Sequence, residues 1–442
     1  MQKRKQENTM SVQSDIINLV INESEPLIPT DIKKKSHMSW IMAAGLLVNA
    51  AMGAGLLNIV KSYNDAGGIM ISSILHAIVV ILVIGSYAII FICCDQSTSS
   101  FETFVLIKCG KIWQRVSSIC IILYTYGLSI TFFIIIGDQL DRFLTFAVGE
   151  HYCSHWYLDR RVMIIATSMV FVFPLCFSKT MKFLRIPSMF GVLAIIYVVI
   201  MVPIQYFLHH PTDVIIKKHP ESWTDIFLVL PTMCFCYQAQ INAVPVFVSL
   251  KTRADCIKAT LVSTIILVAS YCSVAICGYL TFGITVDHDI LMSYDPKLAA
   301  VLVAVIMVAI KTYTAYPINL FCGRISIDSF STRHEEQHSI KRRIIIVCLW
   351  FSTTLVGAVF LPNISLAIHY LGALAASFIF IFPGLCLYFH IEQQWIYSWQ
   401  NMLSIIIAIF YVAIGVFVTL LTLVQSLMTD ISTKGTTNRN IC

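Results

Sequence analysis

Asn49 and the three residues Gly53, Ala54 and Gly55 combine an amide side chain with glycine flexibility inside an apolar stretch. They lie in the sequence NAAMGAGLLN, which ends at Asn58. Glycine weakens a helix, and each backbone group that the helix releases needs another partner where water is excluded. Released N–H groups can bind an anionic group, and released carbonyls can bind a cation. The pattern predicts a binding site made largely of main chain.

A second apolar stretch is interrupted in a comparable way. It runs from Pro231 to Pro245 with the sequence PTMCFCYQAQINAVP. The side-chain amides of Gln238, Gln240 and Asn242 can bond a polar ligand group, or they can bond to neighbouring helices. Gln238 and Asn242 share a face if the helix continues between them. The two prolines favour a broken helix over a continuous one.

A third stretch carries a charge and a hydroxyl one turn apart. Lys311 and Thr314 lie on one face of an otherwise apolar segment. An intramembrane charge is costly and is a functional candidate, although a lysine can also extend to an interface without a coupling role. The ammonium of Lys311 could occupy a cation site, or the side chain could be deprotonated through a depressed pKa. The hydroxyl of Thr314 can add an oxygen ligand or bond back to its own helix, and the second role is the more common.

Three other positions are weaker candidates. Cys236 lies in the second interruption and is a possible ligand contact. Tyr126 lies at a depth that would wall the site, although packing is the favoured role. Asp138, near the end of the same stretch as Tyr126, could carry protons, but a border salt bridge is favoured.

Enzyme chemistry is not indicated. The sequence from His334 to His338 matches the metalloprotease pattern His-Glu-x-x-His, but it falls in a short polar loop without a third ligand nearby. The cluster from His151 to His155 is expected to be a solvated loop. We predict no catalytic residue, no cofactor and no nucleic-acid partner.

The composition is that of a membrane protein. The chain of 442 residues is 57% hydrophobic and only 12% charged, outside the usual range of soluble domains. Eleven apolar stretches have about the length that spans a bilayer, roughly 20 residues. They cover 40–60, 68–93, 117–147, 161–178, 186–208, 223–248, 258–283, 298–322, 343–361, 364–389 and 401–428.

Charge distribution predicts the topology. With the N-terminus in the cytosol, the cytosolic side carries about 20 Lys and Arg residues and the opposite side about 9, as the positive-inside rule requires. This divides the chain into a cytosolic tail over 1–39, an eleven-helix domain over 40–428 and a lumenal or extracellular tail over 429–442. Stretches 1–5 and 6–10 then run in opposite directions, and the first of each is interrupted. That pairing is typical of inverted-repeat secondary transporters.

The N-terminal tail contains an acidic dileucine pattern. Glu23, Leu27 and Ile28 fit sorting signals that direct membrane proteins to endosomes and lysosomes. We therefore expect clathrin adaptors to be possible partners, besides the lipid bilayer. The same pattern arises by chance in short sequences.

Six segments together resemble the sodium-coupled neutral amino acid transporters, solute carrier family 38, within the amino acid/auxin permease group. They are NAAMGAGLLN, YTYGLSITFFIIIGDQ, PTMCFCYQAQINAVPVF, CGYLTFG, YPINLFCGR and GALAASFIFIFPGLCL. The likeness spans about residues 40–390 and is strongest to a lysosomal-type exporter of glutamine and asparagine.

The resemblance implies a fold and a mechanism. It implies an all-α membrane protein with a LeuT-like 5+5 inverted repeat and an eleventh helix, working by alternating access. It also implies a sodium site formed by Asn49, Thr314 and a main-chain oxygen of Met52. Main-chain groups around Gly53, Ala54 and Gly55 would hold the carboxylate and amine of the substrate.

Lys311 departs from this pattern, because a small or apolar residue is expected there. A positive charge beside the sodium site would compete with the ion, which leaves proton coupling or uniport open. We expect a neutral amino acid transporter coupled to Na⁺ or H⁺. The favoured function is export of glutamine or asparagine from lysosomes or endosomes to the cytosol. A plasma-membrane importer, a transporter-like amino acid sensor and a membrane-embedded enzyme are the alternatives.

Overall fold

The described part of the chain consists of α-helices joined by short connections. The computed structural model describes residues 38–95, 98–149, 156–177, 185–209, 214–330, 340–360, 364–393 and 399–434. The helices are α1 Trp40–Ala51, α2 Gly55–Asp65, α3 Ile69–Cys93, α4 Phe101–Cys109, α5 Lys111–Val148, α6 Arg160–Thr167, α7 Phe173–Cys176, α8 Arg185–His209, α9 Val229–Tyr237, α10 Gln240–Ser249, α11 Arg253–Phe282, α12 Ile290–Ser293, α13 Ala299–Asp328, α14 Ile340–Phe360, α15 Ile364–Ala376, α16 Phe382–Glu392 and α17 Trp399–Lys434.

The helices are long and apolar enough for a multi-pass membrane protein. Nine helical segments of the described residues meet that criterion, and α1 with α2 adds a tenth as a span bent by 60°. The predicted stretch 161–178 forms α6, a π-helical turn over Ser168–Val172 and α7, and it is not among the ten. The all-α membrane class is confirmed, whereas the count of eleven is not reached by this criterion.

Local sequence signals set the helix limits. Thr252 precedes α11, and its hydroxyl accepts a hydrogen bond from Asp255 N–H at 3.1 Å, as an N-cap residue does. The same helix ends at Phe282, and Gly283 follows as its C-cap. Gly283 has a φ of 56°, a conformation that glycine adopts at little cost. Pro203, Pro245 and Pro317 lie inside helices, a pattern that membrane helices tolerate.

The two interrupted spans lie at the centre of the bundle. In the segment Asp225–Ser249, 72% of the most apolar stretch is buried, against 28% in Asn401–Ser426. Helix α2 packs on α9 and α11, and α15 packs on α9. The main-chain groups released at each interruption are therefore surrounded by protein, the condition under which irregular backbone persists at membrane depth.

Candidate functional site

The first interruption separates α1 from α2. Helix α1 ends with a hydrogen bond from Met52 N–H to Val48 O at 2.8 Å, and α2 begins at Gly55. The N–H groups of Gly53 and Ala54 form no hydrogen bond in the structure. They lie at the start of α2, where released N–H groups and the helix dipole favour an anion. This end of the interruption suits a carboxylate.

The space beside Gly53 is open. A Cβ atom built on Gly53 would meet no atom within 4 Å, and the residue is half-buried. On α1, Gly45 and Asn49 are exposed on one face, whereas α2 is buried from Gly55 to Val60. The interruption is thus accessible along α1 and closed along α2.

The second interruption separates α9 from α10. Helix α9 ends at Tyr237 and α10 begins at Gln240, whose side-chain oxygen accepts the N–H of Ala239 at 3.0 Å. Gln238 is 5% exposed and Gln240 is fully buried. The side-chain nitrogen of each has no hydrogen-bond partner in the structure. A buried unpaired donor is costly, so these two amides are suited to a ligand carbonyl.

The shared face predicted for Gln238 and Asn242 is absent. The helix does not continue between them, because the break at Gln238 and Ala239 lies in that interval. Asn242 is exposed, and its main-chain N–H donates to Ala239 O at 3.0 Å in the first turn of α10. Gln238 and Gln240 share burial and an unpaired side-chain nitrogen, and the exposed Asn242 does not.

The two interruptions meet in the core. A Cβ atom built on Gly55 would lie 2.5 Å from the sulfur of Cys236 and 3.2 Å from the ring of Phe235. The glycine at this position therefore allows α2 to approach α9 closely. Cys236 is fully buried, and its sulfur packs against α2. Its role in the structure is packing at the junction of the two breaks.

Tyr271 of α11 connects both interruptions. Its hydroxyl lies 3.0 Å from Ala51 O and 3.1 Å from Cys236 O, so one hydroxyl hydrogen serves two released carbonyls. The side chain is fully buried. No sequence argument singled out Tyr271, because its two acceptors are 220 and 35 residues away along the chain.

Tyr271→Phe should slow amino acid uptake by roughly tenfold, because unpaired buried acceptors cost about 1–3 kcal/mol. Initial uptake rates into proteoliposomes measure this. Tyr279→Phe is the matched control: Tyr279 lies two turns further along α11, where its hydroxyl accepts the N–H of Lys217 at 2.9 Å. An equal loss in both variants would indicate a general packing defect instead of a positioning role.

A buried network ties α2 to α9. Ser62 Oγ donates to Thr232 Oγ1 at 2.7 Å and lies 3.1 Å from Asn58 Oδ1. Asn58 Nδ2 donates to His288 O at 2.9 Å. These bonds join the second half of the first span to the first half of the sixth. The pair Asn58 and Ser62, four residues apart, was the available sequence signal.

The residues of the predicted sodium site are not arranged as a cation cage. Thr314 Oγ1 donates to Lys311 O at 2.9 Å, which is the own-helix role. The Lys311 ammonium donates to Met52 O at 3.0 Å. Asn49 is exposed on α1, and its side chain forms no hydrogen bond among the described residues. Of the predicted ligands, Met52 already has a cationic partner.

The weaker candidates have structural partners. The ring of Tyr126 packs edge-on against Trp350 with centroids 5.3 Å apart, which is the packing role. Tyr124, two residues earlier, packs instead near Phe235 beside the second interruption. Asp138 forms the expected salt bridge, at 2.5 Å to Arg160.

Several predicted features lie outside the described residues. This applies to the sorting pattern and to the histidine-containing motifs: Glu23, Leu27, Ile28, His151, His155, His334 and His338.

Asp289, in the connection between α11 and α13, is buried and bonded across the bundle. Its carboxylate accepts from the side chain of Gln139 on α5 and from Leu291 N–H, both at 2.8 Å. Burial raises the pKa of Asp289 from 3.8 to about 7, and Asp287 adds to the rise. The two hydrogen bonds and the charge of Arg142 act in the opposite direction.

Folded-state stability should therefore decrease with rising pH. Between about pH 4 and 7 the folded protein retains a proton on Asp289 that the unfolded chain releases, so the unfolding free energy falls across this window. Asp289→Asn should reduce the drop in melting temperature between about pH 5 and 8. Asp295→Asn, at an exposed position in the same connection, should not. An unchanged pH profile for Asp289→Asn would contradict the assignment.

Comparison with known proteins agrees with this geometry. Residues 36–428 match the family model described as transmembrane amino acid transporter protein. The chain belongs to the transmembrane amino acid transporter family. Transmembrane amino acid transporters are not enzymes, which agrees with the expectation of no catalytic activity.

Individual relatives of this transporter family cover most of the chain. "Sodium-coupled neutral amino acid transporter 7" of Danio rerio is 37% identical over 79% of this chain and 78% of its own. The protein of the same name from Homo sapiens is 35% identical over 79% of each. "Solute carrier family 38 member 8" of Homo sapiens is 30% identical over 82% of this chain and 87% of its own.

A solved structure shows the fold. The crystal structure of MhsT in complex with L-phenylalanine covers 87% of this chain and 97% of its own, with a TM-score of 0.50 at 14% sequence identity. The LeuT-like class expected from the sequence is therefore supported at the level of fold, and the family member described here has the two interrupted spans at its centre.

Proposed function

We propose that the protein is a secondary transporter of neutral amino acids that works by alternating access. The observation that carries this proposal is the meeting of two interrupted helices in the core, with unpaired N–H groups at Gly53 and Ala54. The substrate class is supported by the names of the relatives, which contain the words neutral amino acid transporter.

The site has hydrogen-bond donors for two groups of such a substrate, the α-carboxylate and a side-chain carboxamide. The α-carboxylate would bind the N–H groups of Gly53 and Ala54 at the start of α2. A side-chain carboxamide oxygen would accept from the unpaired nitrogens of Gln238 and Gln240. These donors favour glutamine and asparagine over purely apolar amino acids, because an apolar side chain would leave both donors unpaired.

We propose the complete architecture on the same basis. Residues 40–428 would form two five-helix inverted repeats and an eleventh helix, between a cytosolic tail over 1–39 and a lumenal or extracellular tail over 429–442. The hydrogen bonds that Asn58 and Ser62 form with Thr232 of α9 support joint movement of α2 and α9 during alternating access.

Location and direction are part of the proposal. The tail pattern at Glu23, Leu27 and Ile28 supports endosomal or lysosomal residence, with adaptors as partners. Access to the interruption along α1, whose start is cytosolic in the predicted topology, supports release into the cytosol. The names of the relatives contain the words sodium-coupled, which supports coupling to an ion. The proposed coupling ion is Na⁺ or, because of the charge at Lys311, H⁺.

Uptake of radiolabelled amino acids into proteoliposomes tests the proposal. Glutamine and asparagine should accumulate faster than leucine, and an excess of unlabelled glutamine should compete. Gln238→Leu should narrow the difference between glutamine and leucine, because one donor is lost. Proteoliposomes that take up none of these amino acids, with protein that binds none of them, would overturn the transport function.

A further inference from the structure

Lys311 occupies an unusual place in the bundle. It lies well inside α13, and its ammonium donates to Met52 O at 3.0 Å. Met52 follows the last residue of α1, so its carbonyl is one of the groups that the interruption releases. In the described part of the chain, no carboxylate forms an ion pair with Lys311. The ammonium is therefore directed at the broken helix.

The neighbouring helix makes room for this side chain. A Cβ atom built on Gly191 of α8 would lie 3.0 Å from Cγ of Lys311, closer than packed carbons normally come. Glycine at this position lets the lysine stem pass between α8 and α13 toward α1. The packing and the hydrogen bond thus agree on one position for the ammonium.

A sodium ion does not fit the same arrangement. A hard cation needs several oxygen ligands, and a cation bound to Met52 O would lie in the space that the Lys311 ammonium occupies. Two positive charges there would repel each other strongly in a low-dielectric site. With the ammonium in place, Met52 O is already bonded and the exposed Asn49 is not directed at it by any hydrogen bond among the described residues. Thr314 Oγ1 donates its hydrogen to Lys311 O and keeps its lone pairs, so it can bind a cation only if the ammonium leaves this space.

We propose that the Lys311 ammonium takes the place of a co-transported sodium ion at the first interruption, so that transport by this chain does not require Na⁺. This inference rests on the proposed transport function and specifies its ion requirement. The side chain supplies the positive charge that holds the released carbonyl of Met52, and it links α13 to α1 as a bound cation would.

The test compares proteoliposomes in NaCl with proteoliposomes in choline chloride. Wild-type uptake of radiolabelled glutamine should agree within about twofold in the two salts. In choline chloride, Lys311→Ala should reduce uptake at least about tenfold, because the variant loses the charge-assisted hydrogen bond to Met52 O. NaCl should restore part of that loss, since the vacated space can admit the ion. The control is Lys217, which forms a salt bridge with Glu221 in the loop before α9. Lys217→Ala should behave as wild type in both salts.

A binding measurement separates this inference from the transport function. The melting temperature of the purified protein should be the same in NaCl and choline chloride for wild type. It should rise in NaCl for Lys311→Ala or, if that variant does not fold, for Lys311→Gln. A Na⁺-dependent rise in wild type, or wild-type uptake that needs Na⁺, would overturn the role of Lys311 and leave the transport function intact. The opposite combination is also distinguishable. If no uptake is seen, but Na⁺ raises the melting temperature of the variant and leaves that of wild type unchanged, transport is refuted and the role of Lys311 is supported.

Discussion

Gly53→Leu should abolish amino acid uptake while the protein keeps its fold. The reason is that a side chain at this position enters open space: no atom lies within 4 Å of a Cβ built on Gly53. That space adjoins the unpaired N–H groups of Gly53 and Ala54, where the proposal places the substrate carboxylate. A leucine side chain would fill the ligand's volume without displacing protein atoms. Uptake into proteoliposomes and the melting temperature of the purified variant measure the two effects.

Gly45→Leu is the matched control for this prediction. Gly45 lies on α1, eight residues before Gly53, at an exposed position where a Cβ also meets no atom within 4 Å. The substitution has the same size, but it lies within the helix and away from the interruption. Uptake should persist in Gly45→Leu. Robust uptake by Gly53→Leu would show that substrate binds elsewhere.

The polarity of the first interruption explains why only part of it is available. Tyr271 and Lys311 bond to the released carbonyls of Ala51 and Met52, respectively. The N–H groups of Gly53 and Ala54 stay unpaired. The protein therefore satisfies acceptors with its own side chains and leaves donors for a ligand. Such an asymmetry favours an anionic group over a cationic one at the open side of the break.

The interruptions themselves could be predicted from sequence because they are local. Glycines at 53 and 55, and prolines at 231 and 245, change backbone preference within a few residues. Helix α1 ends at Ala51, next to the glycines. Both prolines lie inside helices, Pro231 in α9 and Pro245 in α10, and the second break falls between them at Gln238 and Ala239. Lys311 was also recognisable, since a charge inside an apolar stretch stands out without any knowledge of its neighbours.

The partners of these residues could not be predicted, because they depend on tertiary packing. Tyr271 is one tyrosine among eighteen, and nothing near it in sequence shows that it reaches two broken helices. The depth of Tyr126 along its stretch predicts that it walls the site. The orientation of α5 instead places Tyr124 beside Phe235 and Tyr126 beside Trp350. Depth along a helix follows from sequence, whereas the direction of each side chain depends on the neighbouring helices.

Gly372→Ala should destabilise the protein strongly, although it adds a single methyl group. Gly372 lies on α15 against the first turn of α9, and a Cβ atom there would lie 2.2 Å from Pro231 O. The obstacle is backbone, which cannot rotate away as a side chain can, so α15 must shift from α9. Overpacking of a core costs about 1–3 kcal/mol, and we expect at least the upper value here. The melting temperature of the detergent-purified protein measures the loss.

Gly357→Ala is the control that separates backbone contact from general crowding. Gly357 lies on α14, and a Cβ there would meet only side-chain atoms of Ile130, at 3.1 Å and beyond. An isoleucine side chain can adjust by a few tenths of an ångström, so this variant should keep nearly wild-type stability. Because α15 packs on the same helix that carries the second interruption, Gly372→Ala should also lower uptake in the fraction that folds. Equal stability of the two variants would mean that α15 and α9 are not in close contact at Gly372 and Pro231.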